Sequence, residues 1–173
     1  MATIRTTGLD KLQQKLAKRF IRWTMKKFFP RSYYTFSIKI KGSNDLLEKY
    51  EMYADCMYDS VGVRPKEYTI RIDNTLDPEM FIKTLAHELT HVKQWGKGEM
   101  KTYERNFKVT RWHERKIRHD LINYHDMPWE IEAHGREHGL FAQFIENDEE
   151  MRDLIDGTAT DYKLLGHKQM VLF

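Results

Sequence analysis

The residue pattern predicts an α+β chain. Two stretches alternate apolar and polar residues, as half-buried strands do, and two others repeat apolar residues at steps of three and four, as amphipathic helices do. Proline, glycine and aspartate separate the two kinds of stretch. With 173 residues, 40% hydrophobic and 32% charged, the chain is expected to form a single globular domain able to bury a core and a shaped cleft. No apolar run reaches the roughly 18–20 residues that cross a bilayer. Basic residues interrupt the start of the chain, so no signal-peptide core is read there.

Leu9, Leu12, Leu16, Phe20 and Trp23 form the stripe of a helix over about 9–28, stopped before Pro30. Tyr34, Phe36, Ile38 and Ile40 alternate with polar residues up to Gly42 and predict a half-buried strand with those four side chains on one face. Residues 44–50 read as helical and 51–59 as strand-like. Tyr68, Ile70 and Ile72 alternate with Thr69, Arg71 and Asp73, giving a second strand between Pro65 and Asn74. Asp77-Pro78-Glu79 starts a helix: a capping carboxylate, proline in the first turn, and a further acid near the positive end of the dipole. Phe81, Leu85, Leu89 and Val92 carry its buried stripe to Gly96 and Gly98. Phe107 to Ile117 reads as a strand or hairpin. Asp126-Met127-Pro128 opens a further helix reaching Phe141 or Phe144, and the acidic stretch 146–156 reads as a short terminal helix.

Charge is unevenly spread. Residues 1–31 hold nine Lys or Arg against Asp10, a balance of +8 in a chain whose net charge is +3. Such a stretch would serve nucleic acid or another acidic surface, or pair with this protein's own acidic body. The lone cysteine, Cys56, excludes an internal disulfide and reads as a small buried hydrophobe. A reducing cytoplasm is the expected compartment.

The chemistry lies in His87-Glu88-Leu89-Thr90-His91. Histidines four apart stand one above the other on a helix, so both imidazoles can reach one cation. Glu88 is then angled to reach a water on that cation without ligating it. Zinc accepts three protein ligands plus an open position and acidifies that water, and a carboxylate beside it can act as general base. A pair of core histidines would not call for Glu88 between them. Glu130, early in the second motif-bearing helix, is the leading third ligand, with Ala133 allowing close helix approach. His134, His138, Glu137 and His113 are the other candidates. Glu132 lies about 200° around the helix from Glu130 and cannot share its face.

The stretch from Thr84 to Trp95 together with Pro128-Trp129-Glu130-Ile131-Glu132-Ala133-His134-Gly135-Arg136-Glu137 resembles the gluzincin metallopeptidases, and more narrowly the short SprT-like proteins of tailed bacteriophages and bacteria. The resemblance covers roughly residues 50–145 and implies a zincin-like fold, with a small mixed sheet packed on the HExxH helix and on a second, ligand-bearing helix. It implies a zinc peptidase whose metal is held by His87, His91 and Glu130, with Glu88 as the catalytic acid/base. It further implies that an edge strand, about 67–73, borders the cleft and pairs with an extended protein or peptide substrate. Localisation would be cytoplasmic, in the host if the chain is phage-encoded, or on the virion. Where many gluzincins have an aspartate four residues after the ligand glutamate, this chain has His134. Glu137 and His134 are candidate groups behind the ligands, and Tyr124, His125 and Arg136 are candidate transition-state donors. The SprT pattern expects a third histidine, which keeps His113 open. The domain would divide into the basic helix within 1–31, a catalytic core at 32–145 and a C-terminal segment at 146–173. The alternative is an inactive zincin-fold binding or structural protein, associated with a virion or with nucleic acid.

Overall fold

The computed structural model describes residues 2–59, 64–103 and 106–157. They form a mixed α+β structure with two sheets. The tail after 157, whose role the sequence left unread, lies outside the described residues.

The main sheet has four strands. β1 (Thr3–Thr7), β2 (Ser37–Ser43) and β4 (Glu67–Asp73) run parallel, and β3 (Ala54–Tyr58) runs antiparallel along β4, in the order β1-β2-β4-β3. β1 has no counterpart in the sequence reading. Its five residues, Thr-Ile-Arg-Thr-Thr, carry one large apolar side chain, and only pairing with β2 makes them a strand.

Two expectations are corrected. The strand read from Tyr34 begins at Ser37 instead; 33–35 form a 3₁₀ turn and Tyr34 is 59% exposed. Phe36, Ile38 and Ile40 are buried as the alternation requires. The expected edge strand at 67–73 is interior, hydrogen-bonded on both sides, so Thr69 and Asp73 are buried along with Tyr68, Ile70 and Ile72. The edge is β3, within the segment 51–59 that read as strand-like.

α1 (Lys11–Phe28) is capped by Asp10, which accepts from Gln13 N–H while the Gln13 side chain returns a bond to Asp10 N–H. It buries Leu16, Ala17, Phe20, Ile21, Met25 and Phe28, so its apolar stripe belongs to the core. Part of its charge is paired within the chain: Lys15 with Glu150, and Arg19 with Asp148 and Glu150. α2 (Leu46–Tyr50) is one short turn before β3.

α3 (Pro78–Lys97) starts as read, with Asp77 accepting from Met80 N–H, and ends at Gly98 in the left-handed region. It packs on α1, on β3 and β4, and most extensively on α4 (Pro128–Asn147). Ala133 is fully buried at that crossing. A helical segment at 149–157 follows. Between α3 and α4 lies a second, antiparallel sheet of β5 (Met100–Tyr103), β6 (Asn106–Trp112) and β7 (Arg115–Arg118), in which the expected hairpin over 107–117 gains a third strand. No helix among the described residues is long and apolar enough to cross a membrane.

Candidate metal centre

α3 and α4 cross over a cleft of about 920 Å³, walled by β3 on one side and by β5, β6 and the turns before α4 on the other. His87 and His91 project from α3 into its floor, and Glu130 reaches them from the first turn of α4. All three are buried, at 7%, 8% and 6% exposure. His87 Nε2 lies 3.2 Å from His91 Nε2, and Glu130 Oε2 lies 3.2 Å from His87 Nε2 and 3.5 Å from His91 Nε2.

The hydrogen bonds behind the rings decide what those atoms carry. Gln94 Nε2 donates to Trp129 O at 2.9 Å and to Glu132 Oε2 at 3.1 Å, so its Oε1 is left to accept from His91 Nδ1 at 2.8 Å. Glu137 Oε2, an acceptor, lies 3.3 Å from His87 Nδ1. A ring whose only proton sits on Nδ1 turns its Nε2 lone pair inward, toward the Glu130 carboxylate; a proton on Nε2 instead makes that atom a donor to Glu130. Three ligand atoms at this spacing could hold a cation. Four tetrahedral bonds of about 2.0–2.1 Å have edges of about 3.3–3.4 Å, which fits the three separations observed. The residues present therefore suit a tetrahedral ion with two nitrogen donors, one oxygen donor and an open position.

Burial opposes the charge on Glu130, but in the metal-free chain the bonds from His87, His91 and Tyr124 outweigh it and hold the carboxyl well below its usual range. The Tyr124 hydroxyl donates to Glu130 Oε2 at 2.7 Å; burial first, and then the Glu130 charge, push its own ionisation up. Burial pushes Glu88 up to about 7, against the pull of His91 and His87. Behind the site, Lys93 donates to Glu132 at 2.6 Å and pairs with Glu99 at 2.8 Å. Partial burial opposes the charge on Glu132, but Lys93, Arg136 and Gln94 hold it down to about 2.

The sequence-derived candidates separate clearly. His87, Glu88, His91, Glu130, His134, Glu137, His138, Tyr124 and His125 all line the cleft. His113 does not: it sits exposed at the turn between β6 and β7, at φ 50, with its ring against Trp112. Arg136 turns away too, donating to Glu132 at 2.7 Å. Cys56 lies on β3 in the cleft wall, and burial pushes its thiol up.

Gln94 and Glu132 were missed as positioning groups. Gln94 stands three residues after His91 on the same helix, a spacing that could have flagged it; Glu132 could not be found without the helix crossing.

The fold and site thus define an α+β protein with a buried two-histidine, one-glutamate cluster at the crossing of two helices. No family model matches the chain, and neither a curated protein nor a solved structure matches it.

Proposed function

We propose that the chain is a zinc-dependent peptidase of gluzincin type. The observation that carries the reading is the convergence of the His87, His91 and Glu130 lone pairs beside the buried Glu88, at the floor of an open cleft. Two imidazoles and a carboxylate at tetrahedral spacing suit zinc better than magnesium or calcium, which favour six or more oxygens. Zinc at this trio supplies Lewis acidity toward a water and toward a carbonyl oxygen.

The chain's residues then divide the work. Glu88, with a carboxyl near neutrality, takes a proton from the attacking water and delivers it to the leaving nitrogen as the carbon–nitrogen bond breaks. Tyr124, whose hydroxyl is already beside the Glu130 oxygen, offers a proton donor to the carbonyl oxygen as charge develops there. Gln94 and Glu137 hold the two imidazoles in the tautomer that ligates. β3 is paired only along β4 among the described residues, and its cleft-lining residues Ala54, Asp55 and Cys56 give an extended peptide an edge to hydrogen-bond.

Elemental analysis with a peptide-library assay tests this. One zinc per chain is expected, retained in Glu88→Gln with cleavage abolished. Cleavage that survives Glu88→Gln would overturn the mechanism. Zinc without any turnover in the unaltered protein would favour an inactive binding or structural protein on this fold.

A further inference from the structure

Outward from the buried trio, Glu137 stands among imidazoles. Its Oε2 lies 3.3 Å from His87 Nδ1 and 3.5 Å from His134 Nδ1, and its Oε1 lies 3.8 Å from His138 Nε2. Its ion-pair partners among the described residues are all histidines. His134 and Glu137 are one turn apart on α4, and the His134 ring packs against that of His87 at 4.5 Å. His87, His134 and Glu137 each offer a ligand atom, all within 4.8 Å of one another.

We propose that His134 and Glu137, joined by His87 Nδ1, form a second divalent-cation site at the mouth of the cleft. Its donors select an ion that takes both imidazole and carboxylate, of the zinc or cobalt kind. The two sites share one ring. With His87 Nε2 on an inner ion, Nδ1 keeps its proton, and the outer ion is left with His134, Glu137 and water. With the inner trio broken, His87 can turn its Nδ1 lone pair to the outer ion. The sites therefore oppose each other: each ion binds best alone. The outer site needs no ion at the inner trio, with which it shares only His87, and only this opposition rests on the proposed inner ion.

Titration of the metal-free protein with Co2+ alone, followed by calorimetry and visible absorption, tests the proposal. The unaltered chain should take up two ions, the second at least about 10-fold more weakly. His134→Ala and the gentler His134→Asn, both at an exposed position, should each take up one, at the tight site. His91→Ala should bind one ion, lost when His134→Ala is added. Two ions of unchanged affinity in both His134 variants, or one ion in the unaltered chain unaffected by them, would overturn the proposal. If the tight ion is missing but a His134-dependent one remains, the outer site stands and the peptidase reading falls.

Discussion

At His91 a proton and the proposed zinc would compete for the same lone pair. Burial alone would lower the affinity of this ring for a proton, but the bond it donates to Glu130 and the charges of Glu88 and Glu130 outweigh it. The metal-free fold therefore holds the proton more tightly than the unfolded chain does. That stabilisation is complete below the unfolded value and is lost as pH rises through the folded one. Because zinc must displace the proton, its affinity should fall as pH is lowered from about 7.5 to about 5.5, with proton release on binding. Competition with a chromophoric chelator at the two pH values measures this; a pH-independent affinity would show that His91 is not a ligand. Gln94→Leu keeps the shape of the side chain and removes the acceptor behind His91. It should weaken zinc binding about 10–100-fold. Tyr124→Phe should keep the zinc and lose about 10²–10³-fold in kcat with little change in KM, if the hydroxyl acts only as charge develops.

Elements of this fold are fixed by contacts that reach across the chain. α2 takes its cap from β4: Leu47 N–H donates at 2.9 Å to Asp73, while Asp45, the residue in the capping position, gives no such bond. Asp73 also accepts from the Thr75 amide at 2.9 Å and its hydroxyl at 2.6 Å. Burial opposes the charge on Asp73, yet the bonds from Thr75 and Leu47 win and lower its pKa. The resulting stability is present above the unfolded carboxyl value and is lost as pH falls through the folded one. Asp73→Ala should cost about 1–3 kcal/mol in urea melts at neutral pH, with the difference shrinking in acid. Where β1 and β2 end, Gly8 and Gly42 pass backbone to backbone, so closely that a Cβ on Gly42 would overlap the Gly8 carbonyl. Gly42→Ala should cost about 1–3 kcal/mol, since backbone rather than a side-chain tip must move.

Across the whole molecule, charge is balanced between distant segments. The basic face of α1 meets the start of the C-terminal helical segment through Lys15, Arg19, Asp148 and Glu150. These groups are mostly exposed, so their pairing is sensitive to salt. Neutralising the partners, as Asp148→Asn with Glu150→Gln, should leave the α1 cations free for an external polyanion. The double variant should elute from heparin at higher salt than the unaltered chain; unchanged elution would show that the pairing does not shield α1. The cluster of His87, His91 and Glu130 likewise joins α3 to α4, so on the proposed reading zinc should raise the melting temperature in a concentration-dependent way.

Local patterning determined much of this. The HExxH spacing needs only one regular helix to bring His87, Glu88 and His91 to one site, and Asp77-Pro78 with Gly98 fix that helix locally. Glu130 was legible for a similar reason: its place in the first turn after Pro128, beside the small Ala133, marks a helix able to cross closely. What the sequence left open depends on partners far along the chain. β1 becomes a strand only on β2, and β4 becomes interior only because β3 and β2 flank it; alternation tells which face of a strand is buried, not how many neighbours it has. His113, an alternative third ligand, and Arg136, a candidate transition-state donor, could not be placed from the linear order. The hairpin turn carries one away and Glu132 holds the other aside, because side-chain convergence follows element packing rather than spacing. The acceptors behind the histidine rings, Glu137 and the Gln94 oxygen oriented by Trp129 and Glu132, also came only with the crossing of α3 and α4. A residue's chemistry is local, whereas the company it keeps is decided by the tertiary fold.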